Sequence, residues 1–293
     1  MTLRSGFVAL AGRPNVGKST LVNRLVGDHV AAVSARPQTT RRRMLGVVDG
    51  PGHQLVVIDL PGFQKPFDRL TERMQRSVDE ALADVDATLL MLSAVEPIGR
   101  GDRFIAERVM RSGSAPCVIA VNKIDRVGPQ ILAPFVQEAS ELGEFYSLHP
   151  VSALRGDGVG DLLDDLIGLL PEGPRFFPEG MTSDQTLEQR IAESIREAAL
   201  AHARDEVPHA LAVTVEELSP TAAGTRVEAR LICETESQKG ILIGRGGAMI
   251  KRIGSEARIT IEEITGGPVM LDLTVKVRPH WRRDSAELGK LGA

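Results

Sequence analysis

Gly12-Arg13-Pro14-Asn15-Val16-Gly17-Lys18-Ser19 fits the pattern G-x-x-x-x-G-K-[ST], and its reading decides the fold of the first half of the chain. An apolar run, Phe7-Val8-Ala9-Leu10, precedes it, and Leu21, Val22, Leu25 and Val26 follow at helical spacing. Strand, glycine loop and helix are the context in which this motif holds phosphate. Glycines let successive backbone N–H groups turn inward around phosphate oxygens, and the helix N-terminus adds the positive end of its dipole. Gly12, Asn15, Val16, Gly17, Lys18, Ser19 and Thr20 are the expected phosphate-binding residues. Lys18 is expected to reach the β- and γ-phosphates as a catalytic charge, and the Ser19 hydroxyl to bind Mg²⁺. The bland alternative is a plain glycine turn, and the flanking strand and helix argue against it. The loop by itself leaves the base open.

Three further motifs follow in order. Pro37-Gln38-Thr39-Thr40 lies where a nucleotide switch places a threonine that binds Mg²⁺ and senses the γ-phosphate; Thr40 is taken over Thr39 as this metal-binding and catalytic residue. Arg41-Arg42-Arg43 reads equally well as a solvated charge run and as a phosphate or RNA contact. Strands expected at 45–48 and 54–58 lead to Asp59-Leu60-Pro61-Gly62, which fits D-x-x-G. Asp59, at the carboxyl end of a buried strand, can hold Mg²⁺, and the Gly62 N–H can meet the γ-phosphate.

A helix is expected over 71–83, a strand at 87–92, a helix at 103–110 and a strand at 117–121 that opens into Asn122-Lys123-Ile124-Asp125. This N-K-x-D motif selects guanine. The Asp125 carboxylate can accept from both the N1–H and the 2-amino group, whereas adenine would leave a buried acceptor unpaired. The Lys123 stem can pack on the base plane and Asn122 can tie the loops together. A strand at 149–151 then leads to Ser152-Ala153-Leu154, where the Ala153 N–H could meet guanine O6. Four motifs at strand ends put GTP or GDP and Mg²⁺ on one edge of a mainly parallel sheet. A final helix is expected over 161–170.

The whole chain sets wider bounds. Its 293 residues suit two domains, and 42% apolar content suffices for packed cores although aromatics make up only 3%. A net charge of −4 argues against coating by nucleic acid and leaves local basic patches open. Cys117 and Cys233 each sit in an apolar run, as buried inert thiols of a reducing compartment would. No secretory pattern precedes the first strand and no apolar run reaches about 18 residues, so a cytoplasmic, soluble protein is expected. Pro171 to Gly180 is rich in proline and glycine and reads as a stiff linker. The expected division is a nucleotide domain over 1–170, a linker over 171–180 and a second domain over 181–293.

The second domain begins with a helix expected over 183–204, then strands at 210–215 and 225–232, with Leu218 to Gly224 as the turn between them. Lys239-Gly240-Ile241-Leu242-Ile243-Gly244-Arg245-Gly246-Gly247-Ala248-Met249-Ile250-Lys251 follows and matches the I-G-x-x-G core of a KH domain. Such a loop between two helices clamps the phosphates of about four single-stranded nucleotides. Gly244, Arg245, Gly246 and Gly247 form the clamp, Lys239 and Lys251 add charge, and Ile243 and Ile250 border a narrow groove for unstacked bases. A long helix to Ile264 and a strand at 269–277 complete the type II KH order. Between Ser237 and Arg283 nine Lys/Arg face four Asp/Glu, an electrostatic footprint for RNA inside an acidic chain. Trp281, the single tryptophan, reads as core packing rather than as a base-stacking ring.

Taken together, the chain resembles the Era family of bacterial ribosome-assembly GTPases from about Phe7 to Gly289. The carrying residues are Gly-Arg-Pro-Asn-Val-Gly-Lys-Ser-Thr at 12–20, Gln-Thr-Thr-Arg at 38–41, Asp-Leu-Pro-Gly at 59–62 and Asn-Lys-Ile-Asp at 122–125. Leu-Pro-Glu-Gly-Pro at 170–174, Ile-Arg-Glu at 195–197, the GRGG loop and Val-Lys-Val…Trp-Arg at 275–282 continue it. Leu60 and His209 depart from the family's usual Thr and Tyr, at positions with no expected catalytic role. The resemblance implies an α/β P-loop GTPase domain followed by a smaller α+β type II KH domain. It implies GTP hydrolysis coupled to binding the 3′ end of small-subunit ribosomal RNA in assembly of the small ribosomal subunit; a monomer is expected. It also implies peripheral association with the inner face of the membrane in some members. Asn15 resembles an asparagine that binds K⁺ in related GTPases. Phe63 stands where Ras-like proteins orient the attacking water and carries no hydrogen-bonding group, while Gln64 lies one residue on, so slow intrinsic turnover is expected. An RNA chaperone whose nucleotide is mainly structural is the alternative reading. A tRNA-modifying GTPase would need a cofactor domain or reactive cysteine that the sequence lacks.

Overall fold

The computed structural model describes residues 3–33, 43–61, 68–111, 115–202, 210–284 and 288. The chain divides into two compact units, and the long stretch Arg73–Asp184 of the first gives way to the second at Gln185.

Among the described residues of the first unit, six strands form one sheet in the order β2-β3-β1-β4-β5-β6. They are β1 (Arg4–Gly12), β2 (Met44–Gly50), β3 (His53–Asp59), β4 (Ala87–Ser93), β5 (Cys117–Asn122) and β6 (Ser147–Pro150). All pairings are parallel except β2 with β3, a hairpin closed at Pro51-Gly52. The strands are apolar almost throughout because both faces are covered. Period-two alternation sorts their side chains. Val8, Leu10, Leu89 and Met91 face the core shared with helices α1 (Lys18–Val26) and α5 (Val159–Leu169). Ala9, Ala11, Leu90 and Leu92 face the core shared with α2 (Arg69–Ala83), α3 (Arg100–Arg111) and α4 (Pro129–Ser140). Each fully buried Leu or Met contributes about 1.5–3 kcal/mol.

The structure departs from the sequence reading in several places. Helix α4 was not expected. Pro134 inside it argues against a helix, although Pro129 sits at its first turn, where a missing N–H costs nothing. The linker expected at 171–180 is a strap fixed to the first unit. The Ser5 N–H donates to Pro171 O at 3.0 Å, and the Phe176 and Phe177 N–H groups donate to the buried Gln54 Oε1 at 2.8 and 2.9 Å. The Phe7 and Phe176 rings pack with centroids 4.7 Å apart. Further on, the Val47 N–H donates to Thr182 O at 2.9 Å and Gly46 bridges Ser183. The physical reason is unpaired backbone at two places: Pro171 and Glu172 serve the start of β1, and Thr182, Ser183 and Asp184 serve the outer edge of β2. The first unit therefore runs to Asp184 instead of ending at 170.

The second unit holds α6 (Leu187–His202), β7 (Ala212–Thr221), β8 (Gly224–Cys233), α7 (Glu236–Ile243), α8 (Ala248–Thr265) and β9 (Val269–Val277). Among the described residues the sheet order is β7-β8-β9, with β7–β8 antiparallel and β8–β9 parallel. The element order is the one expected. Strand β7 runs through Leu218-Ser219-Pro220, which the sequence reading assigned to the turn; Pro220 is tolerated because β7 is an edge strand. Ile191, Ile195, Leu231, Ile253, Ala257 and Ile261 centre the core. Trp281 is buried and donates its indole N–H to Ala210 O at 3.0 Å, the packing role expected of it. Cys117 and Cys233 are buried and free; burial pushes the Cys117 thiol up to about 12. No helix among the described residues is long and apolar enough to cross a membrane.

Candidate functional site

Strand β1 ends at Gly12 and α1 begins at Lys18, so the intervening loop stands at the carboxyl edge of the sheet. Gly17 caps the helix with φ 108° and offers no side chain to its first turn. Lys18 is buried and donates its ammonium to the carbonyls of Gly12 and Arg13, each at 3.1 Å. Burial pulls its pKa down and the charge of Asp59 partly restores it. A bound triphosphate adds negative charge beside this lysine and favours its ammonium form further. The Ser19 hydroxyl donates to Asp59 Oδ2 at 2.9 Å. Two hard oxygen donors thus converge at the end of β3. Among the described residues no cluster of three or more His, Cys, Asp or Glu forms a metal cage. Ser19 and Asp59 suit Mg²⁺ instead, which commonly takes one or two protein oxygens and completes its shell with phosphate and water.

The N-K-x-D loop is built into the same edge. Asn122 donates from Nδ2 to Val16 O at 2.8 Å and accepts the Ala153 N–H on Oδ1 at 2.9 Å, so one buried amide joins three motifs. Lys123, at φ 67°, donates its ammonium to Asn15 O at 2.6 Å. The Ser152 hydroxyl donates to Asp125 Oδ1 at 2.7 Å and orients that carboxylate. The Ala153 N–H, expected to be available to guanine O6, is already given to Asn122, because a buried amide takes the nearest acceptor. Recognition of O6 by this group requires that hydrogen bond to be shared or given up.

Sequence reasoning missed Arg24 and Asn23. Arg24 reaches from α1 to the Ala153 carbonyl at 3.2 Å and also donates to the Leu154 carbonyl, holding the Ser152–Leu154 loop from behind. Asn23 accepts from the N–H groups of Val30 and Ala31 and donates to Ala31 O at 2.8 Å. With Thr20, Ala153 and exposed Leu154 they line a hollow of about 360 Å³. Their signal was the polar side of the helix after the P-loop, which periodicity alone reads as solvent-facing. Thr40, Gly62, Phe63 and Gln64 lie outside the described residues, as do Thr39, Arg41, Arg42 and His209.

In the second unit, Thr235 and Gln238 form a reciprocal capping box that starts α7. The helix ends at Gly244, Arg245–Gly247 makes one tight turn, and α8 starts behind Gly247 at φ 78° with no side-chain cap. Arg245 and Lys251 are exposed, and Ile243 and Ile250 are half-buried beside them. Lys239 lies further back on α7, within 3.9 Å of Glu236. A groove of about 450 Å³ runs between α8 and β9, from Ile250 and Lys251 past Gly254 to Arg258 on one wall and along Met270 and Leu273 on the other. Gly254 and Arg258 were not anticipated, although they continue the Ile250 row at four-residue spacing.

Residues 7–123 match the family model described as "50S ribosome-binding GTPase", and residues 206–282 match the KH domain model. GTPase Era of Mycobacterium tuberculosis strain H37Rv is 45% identical over 98% of both chains. The chain belongs to the Era family of GTPases. Era of Mycobacterium avium is 44% identical over 99% of this chain and 98% of its own. A crystal structure of Era in complex with MgGDPNP and nucleotides 1506–1542 of 16S ribosomal RNA has a TM-score of 0.94 at 36% identity, covering 99% of each chain. An Aquifex aeolicus Era variant bound to GDP and AlF₄⁻ gives the same values. The chain is accordingly a GTP-hydrolysing P-loop enzyme with an RNA-binding KH domain, as the Era resemblance implied.

Proposed function

We propose that GTP binding and hydrolysis on the first unit control capture of the 3′ end of small-subunit ribosomal RNA by the second, in assembly of the small ribosomal subunit. The observation that carries this reading is the likeness, over 99% of each chain, to Era crystallised with both MgGDPNP and a 16S ribosomal RNA segment. In this reading Gly12 and Asn15 to Thr20 take the phosphates, while Asn122, Lys123, Asp125 and Ser152 to Leu154 take guanine. Mg²⁺, held by Ser19, Asp59 and Thr40, would supply charge neutralisation between the β- and γ-phosphates. Lys18 contributes the protein's own charge there, already aimed by two loop carbonyls. Asn15 would add a K⁺ site that offsets the missing water-positioner, with Gly62 as the γ-phosphate sensor. Lys239, Ile243, Gly244 to Gly247, Ile250 and Lys251 take the RNA. The chain acts as a monomer in the cytoplasm, and any contact with the inner face of the membrane is peripheral.

The test is the affinity for an RNA of the 16S 3′-end sequence with a GTP analogue and with GDP. The switch reading expects about 10-fold tighter binding in one nucleotide state, a coupling within the usual 1–3 kcal/mol. Equal affinities select an RNA chaperone whose nucleotide is structural. Equal single-turnover hydrolysis in K⁺ and Na⁺ removes the ionic part.

A further inference from the structure

Arg13 fills one of the positions the P-loop pattern leaves open, and none of the phosphate chemistry above uses its side chain. Its Nε donates to Asp102 Oδ1 at 2.8 Å, and Nη2 pairs with Glu96 at 2.9 Å. Asp102 stands in the first turn of α3 and is only 3% exposed. Its second oxygen accepts the Gly99 N–H at 2.9 Å. A carboxylate this buried needs a cation and hydrogen bonds on both oxygens, and Arg13 is the cation. The fit is close on the other side too, since a Cβ at Gly101 would stand 3.0 Å from Arg13 Cδ. Meanwhile the Arg13 carbonyl, with that of Gly12, holds the Lys18 ammonium at 3.1 Å. A single residue therefore ties α3 by its side chain and the reactive lysine by its backbone.

The rest of the loop is held differently. Asn122 fixes Val16 and Lys123 fixes Asn15, so the segment whose N–H groups meet a β-phosphate has its own anchors. The segment Gly12–Pro14, which sets where Lys18 stands, contains one side chain able to form hydrogen bonds, and that is Arg13. The charge of Glu96 also offsets the burial that lowers the Lys123 pKa, which links the two anchors.

We propose that Arg13, Asp102 and Glu96 form a positioning network that sets the preference of the site for GTP over GDP. It acts by fixing Gly12–Pro14, and through it Lys18, at the γ-phosphate side of the loop. This rests on the reading that the loop at 12–19 binds the triphosphate.

The test measures affinity for a GTP analogue and for GDP, with single-turnover hydrolysis, in full-length Arg13→Ala, Asp102→Ala, the double variant, Arg13→Lys and Glu96→Gln. Thermal melting of each variant checks folding. In both single alanine variants analogue affinity and hydrolysis are expected to fall about 10-fold while GDP affinity stays within about 3-fold, and the double variant is expected to be no worse than either single. Arg13→Lys, which keeps a cation opposite Asp102, should retain more of the preference than Arg13→Ala. Glu96 is 58% exposed, so Glu96→Gln tests the network without disturbing the buried core, and about a 2-fold loss of preference is expected. Parallel loss of analogue and GDP affinity, multiplicative losses in the double variant, or equal behaviour of Arg13→Lys and Arg13→Ala would overturn the proposal. Lys18→Ala separates the two levels: if it leaves hydrolysis intact, the reading of the loop itself fails.

Discussion

The two glycine loops, 12–19 and 244–247, look alike in sequence and differ in how the surrounding protein treats them. Both precede a helix whose N-terminus has no side-chain cap. In the first loop a Cβ added at Gly17 would stand 2.2 Å from the sequence-distant Asn122 Nδ2; in the second a Cβ at Gly244 would meet only its near neighbour Met249, at 2.7 Å, and one at Gly247 meets nothing within 4 Å. Asn122, Lys123 and Arg13 cross-brace the first loop, while Arg245 projects into solvent from the second. The first is a preorganised socket for one small, highly charged ligand. The second is an open clamp, where glycine serves the backbone conformation and the close approach of a polymer. Preorganisation is expensive in packing and matters most where transition-state charge must be met without rearrangement.

Lys18→Ala is expected to lower single-turnover GTP hydrolysis by about 10²–10³-fold, the cost of losing one preorganised charge partner. A smaller loss would mean the socket does not aim that lysine. Gly17→Ala should destabilise the first unit by about 3 kcal/mol, from a positive φ and a broken Asn122 hydrogen bond, and Gly247→Ala should cost about 1–2 kcal/mol from φ alone. Equal losses in denaturant melts would show the two loops to be braced alike. Asp125→Asn removes a charged acceptor and should weaken GTP binding by about 2 kcal/mol while improving that of xanthine nucleotides, whose 2-carbonyl meets the new amide. Arg245→Ala should weaken RNA binding several-fold and reduce the salt slope by about 1, leaving GTP hydrolysis without RNA unchanged. The smallest effect concerns Cys117. With its thiol pushed up to about 12, folded protein should show no alkylation there by iodoacetamide at pH 8, and labelling would reveal opening of the β4–β5 region.

The site was legible wherever chemistry demands a fixed residue type at a fixed spacing. Gly17, Lys18 and Ser19 stand at the start of α1, and Asn122 and Asp125 at and just after the end of β5, where the motifs put them. Period-two and helical patterns likewise placed most strands and the KH element order. What stayed hidden depended on partners distant in sequence. Residues 171–180 have a linker's composition, and only their partners at the start of β1 and on Gln54 make them structural, before 182–184 meet the edge of β2. Helix α4 contradicts the local signal of Pro134, and tertiary packing of Phe135 and Ala139 overrides it. Arg24 and Arg13 look like surface charges because helix and loop patterns do not say which neighbour lies opposite.

From the sequence alone came the guanine nucleotide and the pairing of a GTPase with a KH loop. These follow from local constraints: φ > 0 at glycines, a helix N-terminus after a strand, a carboxylate facing two guanine donors. Only the fold decided that Ala153 gives its N–H to Asn122, that the linker binds the start of β1 and Gln54, and that Arg13 is clamped by a carboxylate 89 residues away. The physical reason is burial. Once water is excluded, each donor and acceptor must take whichever partner the fold brings within reach, and sequence order does not specify that partner.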